Sequence, residues 1–188
     1  MKLDHLIWPT IGWGYLPNSE PVFDIFRTVN QDIQPKSILE IGFHAGHSTT
    51  YMLELMPQAD VSTVGIINAR SFNRSIIVQT MKNIYQDRFD CYLGNPPDVL
   101  QLFQGRSFDL AFIDGNHTYA DVTKDIQSCM KLKIPYLLLD NCEKKTVARS
   151  CDEQLGIYKY KNFCYNSTWN NKTQINEMRL YNVQYNDI

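Results

Sequence analysis

The chain has 188 residues, which is enough for one domain with a full hydrophobic core. Its hydrophobic fraction of 44% and charged fraction of 20% are ordinary for a globular protein, and a formal net charge of -2 provides no basic surface for nucleic acid. The first residues show no charged segment followed by an apolar one, and no apolar run approaches the length of a membrane span. We therefore expect a cytoplasmic protein that binds neither nucleic acid nor a membrane.

The cysteines are odd in number, widely spaced and without a C-x-x-C pair, so neither a zinc site nor a disulfide framework is expected. Free thiols are predicted at Cys91, Cys129, Cys142, Cys151 and Cys164.

Residues 1–19 are rich in Trp, Tyr, Gly and Pro, and such a composition breaks regular structure. They predict an aromatic N-terminal arm, either packed on the domain or lying as a flap over a pocket. Residues 20–188 form the domain itself. Its first element is a helix over 20–30, with Ser19 as N-cap and Pro21 in the first turn.

Strands and helices then alternate. Short apolar runs predict strands at 37–41, 61–67, 89–93, 108–113 and 135–139. Helices are expected between and after them, at 48–55, 71–85, 97–103, 119–130 and 142–155. The loosely alternating segments 157–165 and 174–185 predict a closing antiparallel hairpin. The pattern predicts an α/β fold with a doubly wound, mostly parallel seven-stranded sheet.

The first strand runs into the pattern E-x-G-x-x-x-G from Glu40 to Gly46, and Ser48 is suited to open a helix. Gly42 allows a tight turn, and Gly46 allows a ligand or the next helix to come close. His44 and His47 stand where a dinucleotide fingerprint needs glycine, and no G-K-S/T follows. A nucleotide-like ligand is expected at this loop, but neither a dinucleotide nor a P-loop nucleotide.

Three predicted strands end at or beside an acid, namely Glu40, Asp114 and Asp140. Carboxyl ends of parallel strands meet at the ligand edge of such a sheet, so the three carboxylates should converge. Each one alone could be a helix cap, but three at equivalent positions indicate a functional site.

A second motif, F-D-x-x-F-I-D-G-x-H-x-Y-x-x-V-x-x-D, runs from Phe108 to Asp125. Together with the glycine loop it resembles the class I S-adenosylmethionine (SAM)-dependent methyltransferases, in the small-molecule O-methyltransferase branch. The resemblance implies a Rossmann-like sheet and SAM as cofactor. It also implies methyl transfer to a hydroxyl of a small molecule.

The resemblance also implies site residues. Glu40 would receive the methionine ammonium of SAM, Asn95 would contact adenine, and Asp114 would lie at the methionine end. The loop beneath the cofactor would be formed by Gly42, Phe43, His44 and Gly46. One position departs from the family, because Ile67 stands where an acid usually holds the ribose hydroxyls. Asn68 follows it as a partial replacement. A methyltransferase fold without activity, serving as a binding or structural module, is therefore the alternative reading.

Catechol-type relatives place magnesium ligands at the positions of Asp114, Asp140 and Asn141, and oxygen donors suit Mg²⁺. His117 stands where those enzymes carry a lysine base, and a neutral imidazole can take a proton near pH 7. The alternatives are that Asp140 and Asn141 cap the next helix, and that Asp114 only contacts the cofactor.

The chain has little insertion from which to build a substrate domain. The arm, or a second copy in a homo-oligomer, would have to help close a site for the hydroxylated substrate.

Overall fold

A computed structural model describes residues 16–65, 74–94, 101–169 and 172–183. The predictions made for residues 1–15 and for Ile67, Asn68 and Asn95 lie outside these ranges. The helices are α1 (Glu20–Ile33), α2 (His47–Leu55), α3 (Arg74–Tyr85), α4 (Tyr119–Lys131) and α5 (Lys145–Leu155). The strands are β1 (Ser37–Ile41), β2 (Asp60–Gly65), β3 (Phe89–Leu93), β4 (Leu110–Ile113), β5 (Tyr136–Leu139), β6 (Tyr160–Trp169) and β7 (Lys172–Asn182).

All seven strands form one sheet in the order β3-β2-β1-β4-β5-β7-β6. β1 to β5 are parallel, whereas β7 runs antiparallel to both β5 and β6. This confirms the predicted doubly wound sheet with its C-terminal hairpin. The strand order reverses between β1 and β4, so the ligand crevice of such a sheet lies at their carboxyl ends.

The sheet separates two apolar clusters, because successive strand residues point to opposite faces. On β4, Leu110 and Phe112 join the cluster under α1, α2 and α3, whereas Ala111 and Ile113 join the cluster under α4 and α5. Both faces are covered, which explains why the parallel strands read as continuous apolar runs.

Most predicted boundaries agree with the structure to within a few residues, and the start of α5 is the informative exception. The helix begins at Lys145 and not at Cys142. Asn141 adopts a left-handed backbone conformation with φ 58°, and the Lys144 N–H donates to the Asn141 carbonyl at 3.0 Å. The residues directly after β5 therefore form a turn and not the start of the helix, and Lys144 takes the N-cap position of α5.

Of the predicted helix at 97–103, the structure describes the end, where Gln101–Phe103 form a 3₁₀ turn. All five cysteines are free thiols, as predicted. None of the helices in the described ranges combines the length and apolar character of a membrane span.

Candidate active site

The loop after β1 lies against the end of β4. Gly42 has φ +116°, and a Cβ built there would come within 2.0 Å of the Asp114 carbonyl oxygen. Glycine is required at this position because another backbone occupies the space where a side chain would point.

Gly46 precedes α2 and has φ +76°. Other protein atoms also approach this glycine closely. A Cβ there would lie 2.8 Å from the Met81 sulfur on α3 and 3.0 Å from the Phe43 ring. The close approach predicted at Gly46 is thus made by a helix and by the loop itself. Phe43 is buried and stacks on Phe89 with ring centroids 6.0 Å apart. Phe43 therefore anchors the loop in the hydrophobic core.

Glu40 is fully buried on β1, beneath the first turn of α2. Its carboxylate accepts hydrogen bonds from the Ser48 and Thr49 hydroxyls. Burial raises the pKa of Glu40 to about 7, and the hydroxyl donors oppose that rise. Within the described ranges no cation forms an ion pair with Glu40, so its ionised form has hydrogen-bond donors but no counter-charge.

A small cavity adjoins this loop and is lined by residues that include Leu16, Gly42, His44, Ser48 and Asp114. The Leu16 carbonyl accepts a hydrogen bond from the buried Tyr51 hydroxyl at 3.2 Å. The last residues of the predicted arm therefore lie against the glycine loop.

The structure brings the three predicted strand-end acids to one edge of the sheet. The Asp114 N–H donates to the Ile41 carbonyl at 2.9 Å, and the Asp140 N–H donates to the Ile113 carbonyl at 3.1 Å. The backbones of Asp114 and Asp140 therefore continue the hydrogen-bonding pattern of the parallel strands, so both acids lie at the strand ends, as the sequence predicts.

Asp140 is buried and accepts the Tyr165 hydroxyl on both carboxylate oxygens, at 2.9 and 3.1 Å. Burial raises the pKa of Asp140 well above its usual range, and the charge of Asp114 adds to the effect. Tyr165 lies on β6, so the hairpin supplies the hydrogen-bond partner of this acid.

A continuous series of polar contacts links Asp114, His117, Lys144 and Asn141. His117 Nε2 lies 3.3 Å from Asp114 Oδ1, and His117 Nδ1 lies 2.7 Å from Lys144 Nζ. The same Lys144 ammonium donates to Asn141 Oδ1 at 2.9 Å. An ammonium has only donors, so Nδ1 must accept and Nε2 carries the proton that points to Asp114.

Burial and nearby charges set the protonation states of His117 and Asp114. Burial lowers the pKa of His117, and the neighbouring Lys144 charge lowers it further, which favours the neutral ring. Burial raises the pKa of Asp114 to about 7, while the Lys144 charge opposes the rise. Both nitrogens of the imidazole already have polar partners. Asp114, with a pKa of about 7, can exchange a proton near neutral pH.

A second cavity of about 580 Å³ opens beside these linked polar residues. Asp114, His117, Asp140, Asn141 and Lys144 form one wall. The rest is mostly amide and hydroxyl side chains from the arm and the hairpin: Asn18, Ser19, Asn166, Ser167, Thr168, Gln174 and Asn176. Asp114 lines this cavity and the small loop cavity, so it lies between the two.

Each of the predicted magnesium ligands has a polar partner within the protein. Asp140 oxygens accept from Tyr165, Asn141 Oδ1 accepts from Lys144, and Asp114 Oδ1 faces His117. In the portion of the chain that the structure describes, no three His, Cys, Asp or Glu side chains are grouped so that they could hold an ion. The Mg²⁺ prediction is not supported by these contacts.

Sequence reasoning missed two residues of this site, Lys144 and Tyr165. A signal for Lys144 existed, since a lysine in the first turn of a predicted helix is unfavourable next to the helix dipole and suggests a nearby acid. Tyr165 left no such signal, because its contact with Asp140 depends on how the hairpin docks.

Comparisons with known proteins agree with this fold. A family model described as a methyltransferase domain matches residues 39–135, just over half of the chain. The fold is similar to an O-methyltransferase from Bacillus cereus in complex with SAH, with 17% identity over 87% of this chain and 81% of that one and a TM-score of 0.67. It is also similar to the O-methyltransferase TomG from Streptomyces achromogenes, involved in tomaymycin synthesis and solved with SAM. That match has 18% identity over 89% and 83% of the two chains and a TM-score of 0.65. A search of curated proteins found no match to this chain.

Proposed function

Because the chain belongs to the methyltransferase-domain family of the class I fold, we propose that it transfers a methyl group from SAM to a hydroxyl of a small polar molecule. The position of Asp114 carries this proposal. Asp114 lies against the glycine loop and also lines the larger polar cavity, so it stands between the loop proposed to bind SAM and the cavity proposed to bind the acceptor.

The residues at the loop fit a SAM-like ligand. Glu40 is a buried carboxylate without a counter-charge among the described residues, and the ammonium of a methionine moiety would supply that charge. The Gly42 and Gly46 N–H groups already donate to protein carbonyls. The first turn of α2 is the part of this segment whose backbone N–H groups would receive the carboxylate of the same moiety. When bound, SAM supplies a methyl group on a positively charged sulfur.

The chain's own residues orient the acceptor and take its proton. Asp114 accepts the hydroxyl proton as the oxygen–methyl bond forms, and the electron pair of the broken sulfur–methyl bond stays on sulfur. His117 donates through Nε2–H to Asp114 and fixes the orientation of the carboxylate. Proton transfer of this kind typically contributes about 10²- to 10⁴-fold in rate.

The cavity walls favour a polyhydroxylated acceptor over an aromatic one. Amide and hydroxyl side chains such as Asn18, Asn166, Thr168 and Gln174 can donate to and accept from several hydroxyls at once. Tyr165 is the single aromatic side chain on the described walls, and its hydroxyl is already bound to Asp140. A sugar-like substrate matches this surface better than a catechol ring.

Two measurements test the proposal. Calorimetry with S-adenosylhomocysteine should show one binding site per chain. Radiolabelled methyl transfer from SAM should be detected with sugar-like acceptors in preference to catechols. Asp114→Asn should lower turnover by about 10²- to 10⁴-fold, whereas Asp152→Asn, at a carboxylate 71% exposed on α5, should not change it.

Absence of S-adenosylhomocysteine binding at millimolar concentration would overturn the proposal. It would favour the inactive module suggested by Ile67, especially if Ile67→Asp restored binding.

A further inference from the structure

A cavity of about 800 Å³ lies at the edge of the sheet opposite to the candidate active site. Its lining includes Phe108, just before β4, whereas Asp114 directly follows β4. One wall is the segment 101–108, and the other is the last two turns of α4 with the two residues after them. We call it the basic cavity, because within the described ranges its lining contains no acid but four cationic side chains: Arg106, Lys124, Lys131 and Lys133.

This positive charge is a local excess. The whole chain has 18 Lys and Arg against 20 Asp and Glu, so four cations without an acid do not reflect the composition. The nearest acids in sequence are engaged elsewhere or buried. The Asp109 carboxylate accepts the Lys36 and Ser37 N–H groups at 2.7 and 3.0 Å. Burial raises the pKa of Asp125 to about 7, so this acid offsets the neighbouring Lys124 only in part.

The end of α4 accounts for one of these lysines. Lys131 lies in the last turn, where a positive charge compensates a helix dipole equivalent to roughly half a negative charge. A single lysine is enough for that purpose. Lys124, about two turns earlier, and Lys133, beyond the helix with φ 57°, therefore add charge that the dipole does not require.

Arg106 is fixed in place by aromatic and hydroxyl side chains. Its Cζ lies 5.3 Å from the ring centroids of both Phe103 and Phe108. Its guanidinium donates to Ser62 Oγ at 3.0 Å and to the Tyr92 hydroxyl at 3.3 Å. Among the described residues these are its only acceptors, so further N–H groups of the guanidinium remain for a ligand. A planar guanidinium that is already ordered binds phosphate oxygens at a small entropic cost.

We propose that the basic cavity binds a ligand with two or more linked phosphate groups. Arg106 contacts one phosphate, and the lysines of the opposite wall contact the others. Lys124 and Lys131 lie on one face of α4, about 10 Å apart along its axis. A linked diphosphate or triphosphate spans this distance better than a single phosphate does. The site is separate from the proposed methyl transfer, because the basic cavity and the glycine loop lie at opposite edges of the sheet.

Isothermal titration calorimetry with pyrophosphate, in metal-free buffer at low ionic strength, tests the proposal. The proteins compared are wild type, the double variant Lys131→Gln/Lys133→Gln and the double variant Lys159→Gln/Lys172→Gln. Both double variants lose the same charge, and all four lysines are exposed, so both should fold. The second pair lies outside the basic cavity and is the matched control.

We expect wild type to bind one pyrophosphate per chain, and to bind it more tightly than inorganic phosphate. Lys131→Gln/Lys133→Gln should weaken binding at least about tenfold, a difference of about 1.4 kcal/mol. Lys159→Gln/Lys172→Gln should bind as wild type does. Arg106→Lys should also weaken binding, because the charge is kept but the planar fork is lost. Saturation with S-adenosylhomocysteine should leave pyrophosphate binding unchanged.

Absence of pyrophosphate binding by wild type at millimolar concentration would overturn the proposal. Equal weakening in the two double variants would also overturn it, since net charge alone would then explain the attraction. Competition with S-adenosylhomocysteine would place the phosphates at the glycine loop, with the same consequence. A parallel titration with ADP identifies the source of the phosphates. Tighter binding of ADP than of pyrophosphate indicates a nucleotide, and equal or weaker binding indicates a free oligophosphate; both results support the site.

Discussion

The buried carboxylate of Glu40 makes pH a direct probe of the loop after β1. Its pKa is about 7 in the folded protein because burial disfavours the charged form. An unfolded chain ionises this group near its usual 4.5. The folded state therefore loses stability as pH rises from about 4.5 to about 7, and the loss is complete above that range.

We expect Glu40→Gln to stabilise the ligand-free protein by up to about 3 kcal/mol at pH 8, and by less than about 1 kcal/mol at pH 5. The amide keeps partners, because the Ser48 and Thr49 hydroxyls can rotate to accept as well as donate. Denaturant unfolding at the two pH values measures the difference. S-adenosylhomocysteine binding should weaken in the same variant, since the ammonium partner is gone. A variant that is less stable at pH 8 than wild type would contradict this account of Glu40.

At the scale of elements, the junction between β1 and β4 depends on a glycine. The loop after β1 crosses the end of β4 so closely that a Cβ on Gly42 would overlap the Asp114 carbonyl. That backbone cannot move without disturbing Asp114 itself, so the junction sets both the fold and the site.

Gly42→Ala should cost at least about 3 kcal/mol of unfolding free energy, because backbone strain of about 1–3 kcal/mol is added to a backbone clash. Gly105→Ala is the matched control, since Gly105 also has a positive φ, +84°, but has nothing within 4 Å of the added Cβ. It should cost only about 1–2 kcal/mol, the left-handed backbone term by itself. Equal losses of unfolding free energy in the two variants, measured by denaturant unfolding, would show that the close approach to the Asp114 carbonyl adds nothing to the cost of Gly42→Ala.

At the scale of the whole molecule, the sheet divides the core into two clusters that should respond independently to mutation. Phe26 on α1 packs edge-on against Phe112 on β4, with ring centroids 5.7 Å apart. Ile126 on α4 is buried in the other cluster, on the opposite face of the sheet.

A double-mutant cycle of Phe26→Leu and Phe112→Leu should give a coupling energy of about 0.5–1.5 kcal/mol. A cycle of Phe112→Leu and Ile126→Val should be additive within about 0.5 kcal/mol, since the backbone of β4 lies between the two side chains. Denaturant unfolding of the six proteins supplies both cycles. Coupling of similar size across the sheet would mean that the two clusters form one cooperative unit.

The amino-acid sequence is sufficient to predict the sheet, the direction of its strands and its ligand edge. Alternating apolar runs and helical periodicities specify a parallel sheet, and the residues after each strand must then meet at one edge, so Glu40, Asp114 and Asp140 could be placed together without coordinates. The contacts of those acids, in contrast, depend on how distant elements pack together. Tyr165 reaches Asp140 because the hairpin docks beside β5, and Lys144 reaches His117 because left-handed Asn141 turns the chain back. Such contacts join side chains distant in sequence, and local pattern carries no information about them. The magnesium prediction lost its support for this reason, since a ligand set read from spacing cannot show which donors already have partners.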